Sequence, residues 1–486
     1  MKNKIKINIL VVLSAMFLSS CDGFLETAPY SGIDADKAIT NTTNAEASLI
    51  GAYDAIQHYY SYGREFVVFG DVLTNNVRIS PTNSNRFTGE AAWSWTPSNA
   101  DYSNYWAKTY AIINDVNNII NAPSIALDAT KNQATQEKLK NQIVGEAYAI
   151  RAMLHFDLVR LFAQNYNFTA DHSHLGIPYV KVHNPANTPA RDKVSDVYTN
   201  VLADLEEAAK LITTMRSTTG GPYFFSPNAL KALYARVYLF MGNYAKAKEY
   251  AEQLIPAYTL VPNDDKYLDS WAEVYTTESI LTLSYSDIDY NQTAALGYIY
   301  VEAGYGDLFA SPTFMTLMNE EPTDIRLKWY KKGVAASKAN FDYVSGKYPG
   351  RLGKPGLDNY NIFRVSEMYL IAAEAAARIG GAANEETARG YLDAIRQRAI
   401  PTAAASTATG QDLIDDILLE KRKELAFEGH YFHDLKRLQQ TIIGATTGTG
   451  AIGATINVGD DRLALPIPQA EMDANPNMEQ NPGYGS

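Results

Sequence analysis

A single cysteine, Cys21, occurs among 486 residues. No internal disulfide can therefore form. The only long apolar run, from about Ile7 to Leu18, falls short of the roughly 20 residues a membrane-spanning helix needs, and no second segment approaches that length. Positive charge is also short, with 42 Lys and Arg against 54 Asp and Glu for a formal charge of −12. Such a balance argues against nucleic acid or anionic headgroups as partners, because phosphates would be repelled. No H-E-x-x-H, G-x-S-x-G or P-loop occurs, so the common metalloprotease, hydrolase and nucleotide-binding signatures are missing. Paired carboxylates for sugar hydrolysis are not judged by sequence spacing, since that chemistry depends on separation in space. Strand signal is sparse and confined to pieces such as "SILTLSYSD".

What is present begins with "MKNKIKINILVVLSAMFLSSC": Lys2, Lys4 and Lys6, the apolar run, then small residues before the cysteine. This reads as a secretory signal peptide over residues 1–20. "LSSC" resembles a bacterial lipobox, in which cleavage leaves Cys21 as the first mature residue carrying lipid. The alternative is an ordinary buried or free thiol. Gly23, Pro29 and Gly32 give slack to a tether over residues 21–34. Signal removal takes away three lysines and makes the chain still more acidic. Tyrosine dominates the aromatics, 33 against 17 Phe and 5 Trp, which suits wet contact surfaces.

Apolar periodicity is helical through most of the chain. Ile143, Ala147, Ile150, Leu154, Leu158 and Leu161 form one stripe, and Trp106, Tyr110, Ile113 and Ile120 another. The class is mainly α. Ala235, Tyr238, Gly242, Tyr244 and Ala247 fall at the offsets of a tetratricopeptide (TPR) repeat. Weaker copies surround Glu146 to Ala163, and Glu367 to Ala399 with a turn at Gly380 and Gly381. The array is degenerate. An N-terminal helical region over 35–265 and a C-terminal region over 266–486 are expected. Long Gly-, Asn-, Pro- and Tyr-rich segments, Phe66 to Tyr105, Ser284 to Pro312 and Lys331 to Asn361, interrupt the helices and are expected to carry function.

"KELAFEGHYFHDLKRL" concentrates titratable groups. On a continuous helix His430, His433 and Asp434 would share a face and could ligate a metal. Glu424 and Glu428, one turn apart, could instead pair with Lys421, Arg422 or Arg437 in a partly buried structural network.

The sequence resembles the SusD/RagB family of surface lipoproteins along nearly its whole mature length. The likeness rests on "CDGFLETAP", "GEAYAIRAMLHFDLVRLFA", "GIPYV" followed by "PARDKVSDVYTNVLADLEEA", "FRVSEMYLIAAEAAARIG", "RQRA", "LLEKRKELAFEGHYFHDLKRL" and "LPIPQAEMDANPNMEQNPGY". It implies a SusD-like fold of degenerate TPR helix pairs with loop-rich insertions, and binding without catalysis, cofactor or metal. It also implies a lipid-anchored place at the outer membrane and a SusC-like TonB-dependent transporter as partner, with a glycan as cargo. Within "EGHYFHDLKRL", Tyr431 replaces the family's usual arginine, which weakens the expected ion-pair framework, and His433 stands where an aromatic is more common, which reads as a flat-ring substitute instead of a metal ligand. The glycan site it implies is an arc of aromatics and polar groups: Asp71, Asn76, Arg78, Trp93, Trp95 and Asn99 from the first loop-rich segment, with Tyr298 and Tyr305 from the second, where Tyr290 and Tyr300 are further candidates. The tryptophans could equally plug the first helix pairs. An oligopeptide cargo, as in RagB-type members, and a pure interaction scaffold are the two other readings.

Overall fold

A computed structural model describes residues 38–182, 184, 186–216, 221–446 and 453–485. The expected signal peptide, Cys21 and the tether lie outside the described residues. The described chain is mainly helical, with few short strands. No described helix is long and apolar enough to cross a membrane.

The central element is Gln133–Phe162, opened by Asn132, whose side chain accepts from Thr135 N. All six residues of its predicted stripe are buried, and from Ala149 onward every residue of the helix is buried. Helices Ala100–Ile120 and Val194–Leu211 pack along it. Its weak repeat signature thus belongs to a pair closed by a long connection instead of a tight turn. The clear repeat is a true pair: Ser226 caps Pro227–Met241, and Gly242, at φ 74°, ends it. Asn243 then caps Tyr244–Glu252. Val365–Ile379 and Ala382–Ala399 form the second tight pair around Gly380 and Gly381. Helix Gly410–Glu424 completes this end.

The expected strand exists as Ser279–Leu283, and its antiparallel partner is Tyr360–Arg364, which runs directly into the Val365 helix. A second sheet joins Val77–Ile79, Leu308–Ala310, Asp342–Tyr343 and Lys331–Lys332 in that order. The segments expected as structureless loops are thus partly ordered. Phe66 lies inside helix Glu65–Val72, which is buried along its entire length.

The "KELAFEGHYFHDLKRL" stretch is not one helix. Gly410–Glu424 stops, Phe427 (φ 64°) and Gly429 (φ 80°) turn the chain, and Tyr431–Arg437 restarts it. The turn fits because Gly70 lies against it: a Cβ at Gly70 would stand 2.2 Å from Gly429 O. His430, His433 and Asp434 still fall within one helical turn, Asp434 N donating to His430 O at 3.1 Å, but among the described residues no group of three such side chains could hold a metal. His433 stacks on Phe66 (5.6 Å, 26°), and burial, then Arg160 and Lys436, push its pKa well below the usual value. Asp434 is held by Lys421 (2.9 Å) and Arg437.

The ion network is real, but its partners differ from those expected and it is fully buried. Glu424 binds Arg364 (2.7 Å), Arg398 (2.6 Å) and Arg326 (3.2 Å), and Glu428 binds Arg364 (2.8 Å) and Lys347. Burial opposes ionisation of Glu424, yet Arg398, Arg364 and Arg326 hold its carboxyl well below the usual range. Lys421 and Arg437 instead serve Glu374, and Arg422 donates to Asn76 Oδ1 at 2.8 Å. Removing one member would strand a buried charge.

Candidate functional site

Of the predicted site residues, the structure keeps two tyrosines together near the surface. Tyr298 and Tyr305 are half-buried and meet edge to face at 5.0 Å and 77°. The Arg86 guanidinium lies 3.9 Å from the Tyr305 ring centre and binds Asp307 at 3.1 Å. Ser84 ties the same loop to Asp307 through its backbone N–H (3.1 Å) and hydroxyl (2.9 Å). The Thr293 hydroxyl, then Arg86, hold the Tyr305 phenol below its ordinary pKa.

This surface continues onto residues the sequence reading passed over. Where helix Thr42–Gln57 ends, His58 stacks on Tyr59 (4.3 Å, 28°), and Tyr59 meets Tyr60 at 4.3 Å. All three are half-buried. Arg64 bridges the two groups: its guanidinium lies 4.9 Å from the Tyr59 ring and donates to Ala294 O at 3.3 Å, beside Thr293. Asn291 Nδ2 and the Tyr285 hydroxyl both donate to Gln57 O, at 2.7 and 2.9 Å, and pin the second loop across the helix end. Asp101, half-buried, is pushed up by burial and drawn back by Arg64 and Arg86. The hydrogen bond that the Tyr60 hydroxyl donates to Tyr59, then burial, raise its pKa to about 12. Five half-buried rings, the Arg86 guanidinium and the Asp101 carboxylate are thus partly open to solvent, with the buried Arg64 linking the two groups of rings from beneath. Flat rings offer faces for weakly apolar C–H groups, and the charged groups offer donors and acceptors for hydroxyls. The signal for the missed part was the aromatic run "HYYSY" directly after a helix end, a place where side chains leave the core.

Most of the other predicted residues are buried or occupied in the fold. Trp93 and Trp95 are 2% and 6% exposed, a correction to their expected role as open platforms. Trp93 takes φ 54°, so the chain is not extended there, and both rings turn inward, 4.9 Å apart. Trp95 Nε1 donates to the Tyr484 hydroxyl at 2.6 Å. Asp71 is fully buried and accepts from the backbone of Phe427 and Gly429, both at 3.2 Å, so it fastens the turn between the last two long segments. Burial pushes its pKa up to about 7 against the pull of those amides. Asn76 is buried against Arg422. Asn99 caps Ala100–Ile120 and donates to Glu90 at 3.1 Å, which uses both ends of its amide. Arg78 is half-buried in the strand paired with Phe309. Tyr290 is half-buried, and Tyr300 is fully buried, stacked on Tyr348 at 5.6 Å.

Comparison with known proteins agrees with this architecture. Residues 23–239 match a SusD-like family described as starch-binding and associating with the outer membrane, and residues 329–484 match the SusD family. SusD-like protein P2 of Formosa agariphila is 26% identical over 99% of this chain and all of that protein. The starch-binding protein SusD of Bacteroides thetaiotaomicron is 35% identical over 126 residues, 25% of this chain and 21% of that protein. A crystal structure from Bacteroides vulgatus superposes with a TM-score of 0.81 at 30% identity, covering 92% of this chain and all of that one. The chain belongs to the SusD/RagB family, a family of binding proteins without catalysis.

Proposed function

We propose that this protein captures a glycan at the cell surface and passes it to a SusC-like TonB-dependent transporter, anchored to the outer membrane by lipid on Cys21. The observation that carries the reading is the surface on which Tyr59, Tyr60, Tyr298 and Tyr305 lie beside Arg64 and Arg86. Starch binding and outer-membrane association are described for the matching family, and starch binding for one relative, which makes an α-glucan the first cargo to try.

The test is calorimetric binding of maltoheptaose, with a glycan array and an oligopeptide library as the wider search. Tyr305→Ala and Arg86→Ala are each expected to weaken the best glycan about ten-fold, the loss of one stacking platform or its cationic support. Folding should be unchanged, because both side chains are partly exposed. Tight binding of peptides with no glycan bound would replace the cargo. Unaltered glycan affinity in both variants and in Tyr59→Ala would move the site off this surface.

A further inference from the structure

A small cavity between the turn after helix Thr42–Gln57 and the second loop holds a carboxylate oxygen that the fold leaves unanswered. Tyr62 and Gly63 line it from that turn, Asn291 and Gly297 from the loop, and Asp358 from the segment entering strand Tyr360–Arg364. About 10 Å³ is open to the centre of a water-sized body, which is room for one occupant. The space exists because two positions lack a side chain. A Cβ at Gly63 would stand 2.4 Å from Asn291 Nδ2, and one at Gly297 would stand 2.2 Å from Asp358 Oδ2.

Asp358 is 7% exposed. Its Oδ1 accepts from Gly350 N at 2.8 Å, whereas Oδ2 is buried with no hydrogen-bond partner among the described residues. The tyrosines around the cavity have no proton left for it, because each donates its hydroxyl elsewhere: Tyr62 to Asp157 (2.6 Å), Tyr285 to Gln57 O (2.9 Å), Tyr348 to Phe427 O and Tyr360 to Glu428 O (2.9 Å). Arg351 is likewise turned to other acceptors, Tyr285 O at 3.1 Å and Asn359 Oδ1 at 2.9 Å. Burial pushes the Asp358 carboxyl up to about 7, while the Gly350 amide and then Arg351 pull the other way. A buried carboxylate in this position is stabilised by a proton or by a counter-ion. A proton needs no space. A water would fill the cavity and satisfy Oδ2 but leave the charge, so the room beside the carboxylate is best used by a cation of about water's size. One carboxylate calls for one positive charge, and no group of three ligating side chains suited to a divalent metal lies among the described residues.

We propose that this cavity binds one alkali cation, sodium or potassium, at Asp358 Oδ2, and that the bound ion pins helix Leu296–Tyr300, which carries Tyr298, to the body. The pinning follows from Gly297, whose backbone stands directly over that oxygen. The ion site is independent of the glycan reading, because neither Asp358 nor Gly297 belongs to the ring clusters.

The purified protein should be melted at about pH 8 and a constant ionic strength of about 0.2 M in choline chloride, sodium chloride and potassium chloride, because an ion bound only to the folded state raises the melting temperature saturably. Choline is too large for the cavity. Wild type is expected to melt about 1–2 °C higher in at least one alkali salt than in choline, and the larger gain names the ion. Asp358→Asn, which keeps an acceptor for Gly350 N and removes the charge, should show no such difference, which separates the site from a general salt effect. Amide exchange across residues 291–300 should slow in the stabilising salt in wild type alone. Equal melts of wild type in the three salts overturn the site whether or not the variant folds, and so does a gain of the same size in Asp358→Asn. Stabilisation by millimolar calcium with neither alkali ion effective overturns the monovalent assignment. Unaltered exchange over 291–300 in the stabilising salt overturns the pinning.

Discussion

Trp93→Ala separates a structural from a ligand-binding role for the tryptophan pair. The Trp93 ring is 2% exposed and packs against Trp95 at 4.9 Å and Phe432 at 6.0 Å. A Cβ on Gly444 would stand 2.8 Å from its Nε1, so the neighbouring backbone lies directly on the ring. Truncation therefore opens a cavity the surroundings cannot readily fill, and a buried Trp→Ala change costs about 3–5 kcal/mol. For a chain of this length the melting entropy is on the order of 1 kcal/mol/K, so the melting temperature should fall by about 3–5 °C. Trp95→Phe keeps most of the ring and loses chiefly the bond to Tyr484, worth about 0.5–1.5 kcal/mol. Scanning calorimetry gives the stability change, and isothermal calorimetry at 20 °C on the same samples gives glycan affinity. The reasoning requires a lower melting temperature with unchanged affinity. A ten-fold weaker affinity in Trp93→Ala at an unmoved melting temperature would refute it and return the tryptophans to the ligand.

Asp71→Ala should lower stability by about 2–5 kcal/mol, because the buried amides of Phe427 and Gly429 both lose their acceptor, and glycan affinity should hold; chemical denaturation tests it, and an undisturbed midpoint counts against the clasp. Burial raises Glu90 and Asp71 to about 7 and Glu65 to about 8, against about 4 when unfolded, so at these groups the folded state binds more protons and each contributes a fall in stability as pH rises from 5 to 8. Glu374 lies at about 2 and Glu424 well below its usual value, so the stability they contribute is lost only as pH falls below about 4, whereas buried His155, His430 and His433, held below the usual imidazole value, and Lys436, lowered to about 7, contribute with the opposite sign inside the 5–8 window, so the acids are read by difference. Glu90→Gln, which keeps an acceptor for Asn99, should shift the melting-temperature slope in that window toward more positive values, and an identical slope would exclude Glu90. Cys21→Ser should abolish fatty-acid labelling without altering the melt, and equal labelling of both forms would reject lipidation. Tagged protein drawn from native membranes should bring a TonB-dependent transporter at near-equal amount; recovery of this chain alone would count against the lid.

The helices were legible because their information is local. The stripe from Ile143 to Leu161 needs only a 3.6-residue period, and the turn at Gly242 needs only a glycine at a helix end, so both appear in the structure where the sequence placed them. The strand Tyr360–Arg364 was not legible. Its existence depends on Ser279–Leu283, some 80 residues earlier in the chain, and its sequence runs without a turn signal into a helix. Glu424 and Glu428 could be marked as network residues from spacing, but spacing nominated the wrong partners. Lys421, Arg422 and Arg437 were plausible neighbours in sequence, whereas Arg326, Lys347 and Arg364 arrive from elements distant in sequence.

The same distinction explains the site. Residue type alone does not say whether a tryptophan near an Asn and an Asp faces water. Trp93, Trp95, Asp71 and Asn99 have the chemistry of a sugar site and the positions of a cap, a clasp and a core plug. What separates them from Tyr59 and Tyr305 is the packing of the last part of the chain over the first: Tyr484 reaches Trp95, Gly444 covers Trp93, and the Gly429 turn covers Asp71. Among the described residues, no such segment buries the rings at the end of helix Thr42–Gln57. There the second loop is pinned only at its edge, by Asn291 and Tyr285 on Gln57, and the tyrosines on either side keep a face toward solvent. An aromatic cluster that the core does not need, placed where the chain's last residues do not reach, is therefore the stronger candidate for a ligand than a richer cluster that those residues bury.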